Sequence, residues 1–259
     1  MAGEVLVAQQ TALGLRLQET LIELITRVWR SIPDVSDASL ARWLALVVPL
    51  VAGAQRQAAQ LQAAYLARTV AEMTGQPLEL IGVDPLKVTG AVVRQGVPPD
   101  VVYARPVIQA RSLLGQGMLG AEVFARAEQR AVQLATTDLQ LARTHAAVSV
   151  LGRTRGVVGY RRVLTGMKSC RLCTLASTQR YHRGELMPIH PGCSCAVAPI
   201  IGHQDPGRVL DQPLLEAVNS GDVTVYDHGE YGPTLAKAGD RHLLGADAAD
   251  RVTVDATAS

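Results

Sequence analysis

From Phe124 to Val148 the apolar side chains recur at steps of three, four and seven: Phe124, Ala127, Ala131, Leu134, Leu141 and Val148. Only an α-helix brings positions so spaced onto one stripe. No proline or glycine interrupts the run, so the chain is committed to a long helix here. A lone amphipathic helix in water is marginal, and other helices must cover its stripe. Asp138 and His145 lie on the same stripe. They are expected at its edge or paired with a neighbouring helix.

The partners are visible upstream. Leu13, Leu17, Leu21, Leu24 and Val28 share one face, widened by Ile22, Ile25 and Trp29, and Pro33 ends that helix. Ser36 is placed to cap a second helix running through Leu40, Trp43, Leu44, Val47, Leu61, Leu66 and Val70. Gly75 followed by Pro77 is the usual order at a helix C-terminus. Pro49 removes one backbone donor, and a kink is expected there. Residues 76–99 are broken by prolines and glycines and predict short turns, with one helical turn near Pro85–Val88. A further helix follows Asp100, and Gly115 to Gly120 is a joint. Aromatic residues are only 3% of the chain against 48% apolar. Leu, Val and Ala carry the core, which suits helix packing better than an aromatic-rich β-sandwich.

The longest apolar run, Trp43 to Ala52, is ten residues and contains Pro49. A membrane-spanning helix needs about 20, so this reads as a buried helix segment, with no membrane expected. Met1-Ala2-Gly3-Glu4 does not open a secretory signal, and synthesis and residence in a cytoplasm are expected.

After Gly152 the period changes. Val157 to Leu164 suggests a short strand, and Cys195 to Ile201 is β-like, with Pro199 arguing for an edge. Between them stand Cys170-Arg171-Leu172-Cys173 and His190-Pro191-Gly192-Cys193-Ser194-Cys195. All four cysteines and two of the six histidines, His182 and His190, fall in this stretch. Zinc takes four thiolate or imidazole ligands in a tetrahedron. A Cys-x-x-Cys turn aims two sulfurs at one point, and the second pair comes from His190, Cys193 and Cys195. Four of the five, Cys170, Cys173, His190, Cys193 and Cys195, would hold a structural zinc, and spacing leaves open which four. Local disulfides or free thiols are the competing reading; a reducing compartment favours metal. A thioredoxin-like role lacks its βαβ context. A zinc protease lacks HExxH on a helix, and His182 and Glu185 read as surface loop residues. No phosphate-binding loop, dinucleotide fingerprint or Ser/His/Asp arrangement is present, so no enzyme is expected.

From Gly152 to Gly184 there are eight Lys or Arg and no Asp or Glu; from Ile201 to Ser259 there are ten acids against four bases. Arg153, Arg155, Arg161, Arg162, Arg180 and Arg183 are candidates for contact with phosphate or with an acidic partner. The alternative is a solvated surface balancing the acidic tail. Any DNA contact would be non-specific and salt-dependent. The expected architecture is mainly α with a small α+β metal-stapled module. A helical domain spans 1–151, a Cys/His module with a short β-ribbon spans 152–202, and an acidic loop-rich tail spans 203–259. The tail holds a short helix candidate at Pro213–Asn219, a strand candidate at Val223–Tyr226 and a mobile end from Gly245.

Tyr160-Arg161-Arg162-Val163, Cys170-x-x-Cys173, Tyr181, Leu186-Met187-Pro188-Ile189-His190 and Cys193-Ser194-Cys195-Ala196-Val197-Ala198-Pro199-Ile200 follow one another with short gaps. That order resembles the MuF-type minor head proteins of tailed phages, in the version found in actinobacterial phages and prophages. Asp227-His228-Gly229-Glu230-Tyr231-Gly232-Pro233-Thr234-Leu235 resembles their tail region. The resemblance implies a low-copy structural protein of the virion head, joining the portal vertex in the host cytoplasm during procapsid assembly. It implies portal and capsid proteins as partners and, in some members, contact with DNA. Self-association would use the N-terminal helices. Some relatives carry a fused protease or toxin domain, for which this tail has no room. A zinc-ribbon nucleic-acid-binding module on a helical oligomerisation scaffold is the alternative.

Overall fold

The computed structural model of the chain describes residues 2–77, 82–163, 173, 176–177, 179–184, 195–204, 220, 223–227 and 233–237. Four α-helices dominate: α1 (Ala2–Arg30), α2 (Asp37–Thr74), α3 (Pro99–Gly115) and α4 (Gly120–Arg153). Two 3-10 turns, Pro85–Lys87 and Gly90–Arg94, join α2 to α3. The strands β1 (Val157–Val163), β2 (Arg180–His182) and β3 (Ala196–Ile201) follow, then β4 (Val223–Asp227) and β5 (Pro233–Lys237). The mainly helical expectation holds, with a small antiparallel sheet.

Local chemistry explains where α2 begins and ends. The Ser36 side chain accepts from the Ser39 amide at 3.2 Å, satisfying a first-turn donor. Asp34 Oδ1 accepts from the Ser36 amide at 2.9 Å and from the Ser39 hydroxyl at 2.6 Å. At the other end Gly75 takes the left-handed conformation (φ 65°) and its N–H closes on Ala71 O at 2.9 Å. Pro49 lies inside α2, which continues past it.

Two tryptophans tie four helices together. Trp29 of α1 and Trp43 of α2 meet edge-on, 5.2 Å between centroids. Trp29 Nε1 donates to Phe124 O of α4 at 3.1 Å, and Trp43 Nε1 donates to Tyr103 O of α3 at 2.6 Å. Each indole thus buries its ring and still places its one donor. Ala127, Ala131, Ala135, Ala142 and Ala146 of α4 are buried, and their small size lets helices approach closely. The Trp43–Ala52 segment departs from the expectation of burial. Trp43, Val47 and Val51 face the core, but Leu46 and Pro49 are exposed. By length and composition alone α2 could cross a membrane.

Asp138 is buried and fully engaged: Arg94 Nε lies 2.5 Å from Oδ1, and the Tyr103 hydroxyl donates to Oδ2 at 2.7 Å. Its neighbour is therefore a 3-10 turn as well as a helix. His145 is half-buried, and desolvation lowers its pKa.

The sheet order is β2-β1-β3, all antiparallel, so Pro199 lies on an edge strand as its missing donor requires. Leu6, Tyr65, Leu66, Val150, Leu151, Val157, Tyr160 and Val197 form one buried cluster. The sheet shares this core with α1, α2 and α4. Strands β4 and β5 pair separately, Val225 opposite Leu235. The Pro213–Asn219 helix candidate and the end from Gly245 lie outside the described residues.

Candidate functional site

β1 is the central strand, and its residues are covered on both faces except Val158. This overturns one expectation. Arg161 and Arg162 are not on an open basic surface; they are 4% and 7% exposed. Their strand is flanked by β2 and β3 and docked on the helices, and linear charge density carries no trace of that. Of the other candidate contacts, Arg153, Arg155, Arg180 and Arg183 are exposed. Arg153 also closes the end of α4, reaching Ser149 O at 3.0 Å and Gly82 O at 2.7 Å. Arg183 Nη1 reaches Val157 O at 3.4 Å. The exposed basic residues thus ring the sheet, and the buried pair runs through its middle.

Tyr181 of β2 is the hub of the site. It stands opposite Tyr160 and stacks on it, 5.1 Å between centroids and 18° between planes. The Arg162 guanidinium lies over the Tyr181 ring at 5.8 Å, within cation–π range. The Tyr181 hydroxyl donates to Ala176 O at 2.9 Å. Ala176 and Ser177 are helical and buried, as is Cys173 three residues earlier. Tyr181 thereby ties β2 to the backbone next to the Cys-x-x-Cys segment.

Of the five candidate zinc ligands, Cys173 is buried and Cys195 half-buried, and neither is in a disulfide among the described residues. Cys170, His190 and Cys193 lie outside the described residues. Both described thiols act on the same hydroxyl. Burial pushes the Tyr181 phenol up, Arg162 pulls it down, and Cys195 and Cys173 each raise it further. Tyr181 therefore lies near a cysteine from each half of the cluster. Among the described residues no three His, Cys, Asp or Glu side chains gather as a metal site. His182 of β2 is exposed, and Glu185 is outside the described residues.

The Tyr160–Tyr181 stack and the burial of Arg162 were missed by reading charges along the chain. The available signal was alternation, since Tyr160 and Arg162 are two residues apart and share a face of any strand. A polar cleft of about 330 Å³ between α3 and α4, lined by Gln109, Arg126, Gln129, Arg130 and Gln133, was also missed. Compared with protein-family models, with curated proteins and with solved structures, the chain matches none.

Proposed function

We propose that this chain is a structural minor head protein of a tailed phage or prophage, of the MuF type. It would join the portal vertex and capsid shell during procapsid assembly in the host cytoplasm and remain in the virion head. The observation that carries this reading is the sheet. Its three strands, around Tyr160–Val163, Tyr181 and Ala196–Ile200, are three of the segments on which the resemblance rests, and they are neighbours in space. A shared order of segments that also forms one packed unit is better support than the order alone.

The role needs docking surfaces. Val101 and Ile108, seven residues apart on α3, are 50% and 54% exposed on one helix face. Exposed apolar side chains so placed suit a protein partner. Arg153, Arg155, Arg180 and Arg183 remain available for weak contact with DNA phosphates. The Cys/His segment would hold a structural zinc through four of Cys170, Cys173, His190, Cys193 and Cys195. The donor set fits zinc, and such an ion would supply folding free energy to a segment poor in large apolar side chains.

The test is reconstitution. The chain is co-expressed with the genes adjoining its own, which on this reading encode portal and capsid proteins, and procapsids are sedimented. A few copies per procapsid, lost when Val101 and Ile108 are changed to Asp, is the expected result. Procapsids that form normally while the chain stays wholly in the supernatant would reject the reading.

A further inference from the structure

A second cleft opens between the N-terminal half of α1 and the C-terminal half of α2. Leu6, Gln10 and Leu13 line it from α1, and Leu61, Tyr65 and Arg68 line it from α2. Each trio is set at a step of four and then three, which keeps it on one helix face. The cleft holds about 70 Å³. A water in the liquid takes about 30 Å³, so there is room for a small head group, and a longer chain would lie out along the open side.

The inner end of this cleft is polar and unsatisfied. Gln10 and Tyr65 are each 4% exposed, and Gln62 is 3% exposed. Gln10 Nε2 donates to Gln62 Oε1 at 3.3 Å. Gln62 Nε2 and the Tyr65 hydroxyl, both buried, have no hydrogen-bond partner among the described residues. Thr69 lies one turn on, but its hydroxyl gives its proton to Tyr65 O at 2.9 Å. Native folds leave few buried polar groups unpaired.

The surroundings define what would pair them. Arg68 is exposed at the rim. Arg143 reaches across from α4, its Nη1 3.5 Å from where a Cβ on Gly14 would stand, one turn from Gln10. It is also close enough to Tyr65 to pull the phenol down against burial, which pushes it up to about 12. Among the described residues no carboxylate lines the cleft. A cation would meet guanidiniums and no counter-charge. A wholly apolar ligand would leave both donors unpaired, and a bare phosphate would leave the leucine walls uncovered.

We infer that this cleft binds a carboxylate carried on an aliphatic chain. The head accepts hydrogen bonds from the Tyr65 hydroxyl and the Gln62 amide in the field of Arg68 and Arg143, where bonds to a charged group are the stronger kind. The chain lies on Leu6, Leu13 and Leu61, removing apolar surface from water. The assignment is independent of the assembly role and of the cysteine segment.

The experiment titrates the full chain with octanoate, and with octanol and acetate as chain-only and head-only probes, by calorimetry and by methyl NMR. Octanoate should bind and shift the Leu6, Leu13 and Leu61 methyls. Octanol and acetate should each bind at least about tenfold more weakly. Tyr65→Phe should weaken octanoate roughly ten- to hundred-fold. It should leave the melting temperature of the unliganded chain unchanged or higher, because it removes an unpaired buried hydroxyl. A merely structural hydroxyl would do the reverse, lowering the melting temperature without changing affinity. Leu13 is 44% exposed; Leu13→Asp sets a like charge at the rim and should abolish binding, and it serves if Tyr65→Phe does not fold. No octanoate binding at millimolar concentration, octanol binding as tightly as octanoate, or a folded Tyr65→Phe chain with wild-type affinity would each overturn the assignment.

Discussion

The Tyr103 hydroxyl donates to Oδ2 of Asp138 at 2.7 Å, joining α3 to α4 inside the helical core. Arg94 holds the other carboxylate oxygen, and its Nη2 also reaches Leu134 O at 3.1 Å. One carboxylate thus fixes a helix and a 3-10 turn against α4. Asp138→Ala strands a buried guanidinium and a buried phenol, and a loss of roughly 3–5 kcal/mol is expected by denaturant unfolding. Tyr103→Phe removes one hydrogen bond to a charged group and is expected to cost about 2 kcal/mol. Equal stability of Asp138→Ala and wild type would show that the network contributes nothing.

The same residue sets a pH dependence. Burial pushes the Asp138 carboxyl above its usual value of 3.8, against the opposing pull of Arg94 and Tyr103. Between the unfolded and folded pKa values the folded state holds more protons, so stability falls as pH rises through that window. The stability of wild type relative to Asp138→Asn should therefore decline upward from about pH 4 and then level. A relative stability that rises over this range would contradict the sign.

A second, opposite acid response comes from the start of α2. Hydrogen bonds from Ser36 and Ser39 hold the Asp34 carboxyl at about 2. A depressed folded pKa stabilises above the unfolded value and is lost as pH falls toward the folded one. Melting temperature should drop between about pH 4 and about 2 in wild type, and less steeply in Asp34→Asn. Ser36→Ala removes the cap itself and is expected to cost about 1 kcal/mol at neutral pH.

How much of this was legible follows from where each signal resides. Ser36 and Gly75 could be read directly, because capping chemistry is local and both ends of α2 stop where side chain and backbone demand. The Phe124–Val148 stripe was equally plain. The 3-10 turn Gly90–Arg94 was not, since five residues carry no period. What holds it is tertiary: the Gly90 amide donates to Gln55 Oε1 at 3.3 Å, and Arg94 pairs with Asp138. The placement of Arg161 and Arg162 was misread for the same reason. A strand becomes central only when two others flank it, and those lie in separate parts of the chain. Cys173 and Cys195 were legible as candidate ligands by type and spacing, but their common neighbour Tyr181 emerges only from strand pairing.

Gly159 tests that pairing. A Cβ at this position would sit 2.6 Å from the Tyr181 carbonyl oxygen, a backbone atom that cannot swing aside. Gly159→Ala should force β2 away from β1, with a loss of about 1–3 kcal/mol, as for other overpacked sites. The Tyr160–Tyr181 stack would part, and hydrogen exchange at the Arg180–His182 amides should rise ahead of the helices. Unchanged exchange there would mean that β2 is not held through this contact.

Removal of the proposed metal should separate the sheet from the helical body. The helices have their own core around Trp29, Trp43, Val107 and Leu134, which needs nothing from the cysteine segment. The sheet offers that body mainly Val157, Tyr160 and Val197. Its remaining cohesion depends on what holds the segments between its strands. Cys173→Ser, or chelation of wild type, is therefore expected to expose residues 157–201 to limited proteolysis while helical circular dichroism is retained. Because Tyr160 shares one buried cluster with Tyr65, Leu66, Val150 and Leu151, cleavage should begin in the segments linking the strands and reach β1 last. Protease resistance and cleavage order identical in mutant, chelated and untreated protein would show that packing on α2 and α4 suffices without an ion.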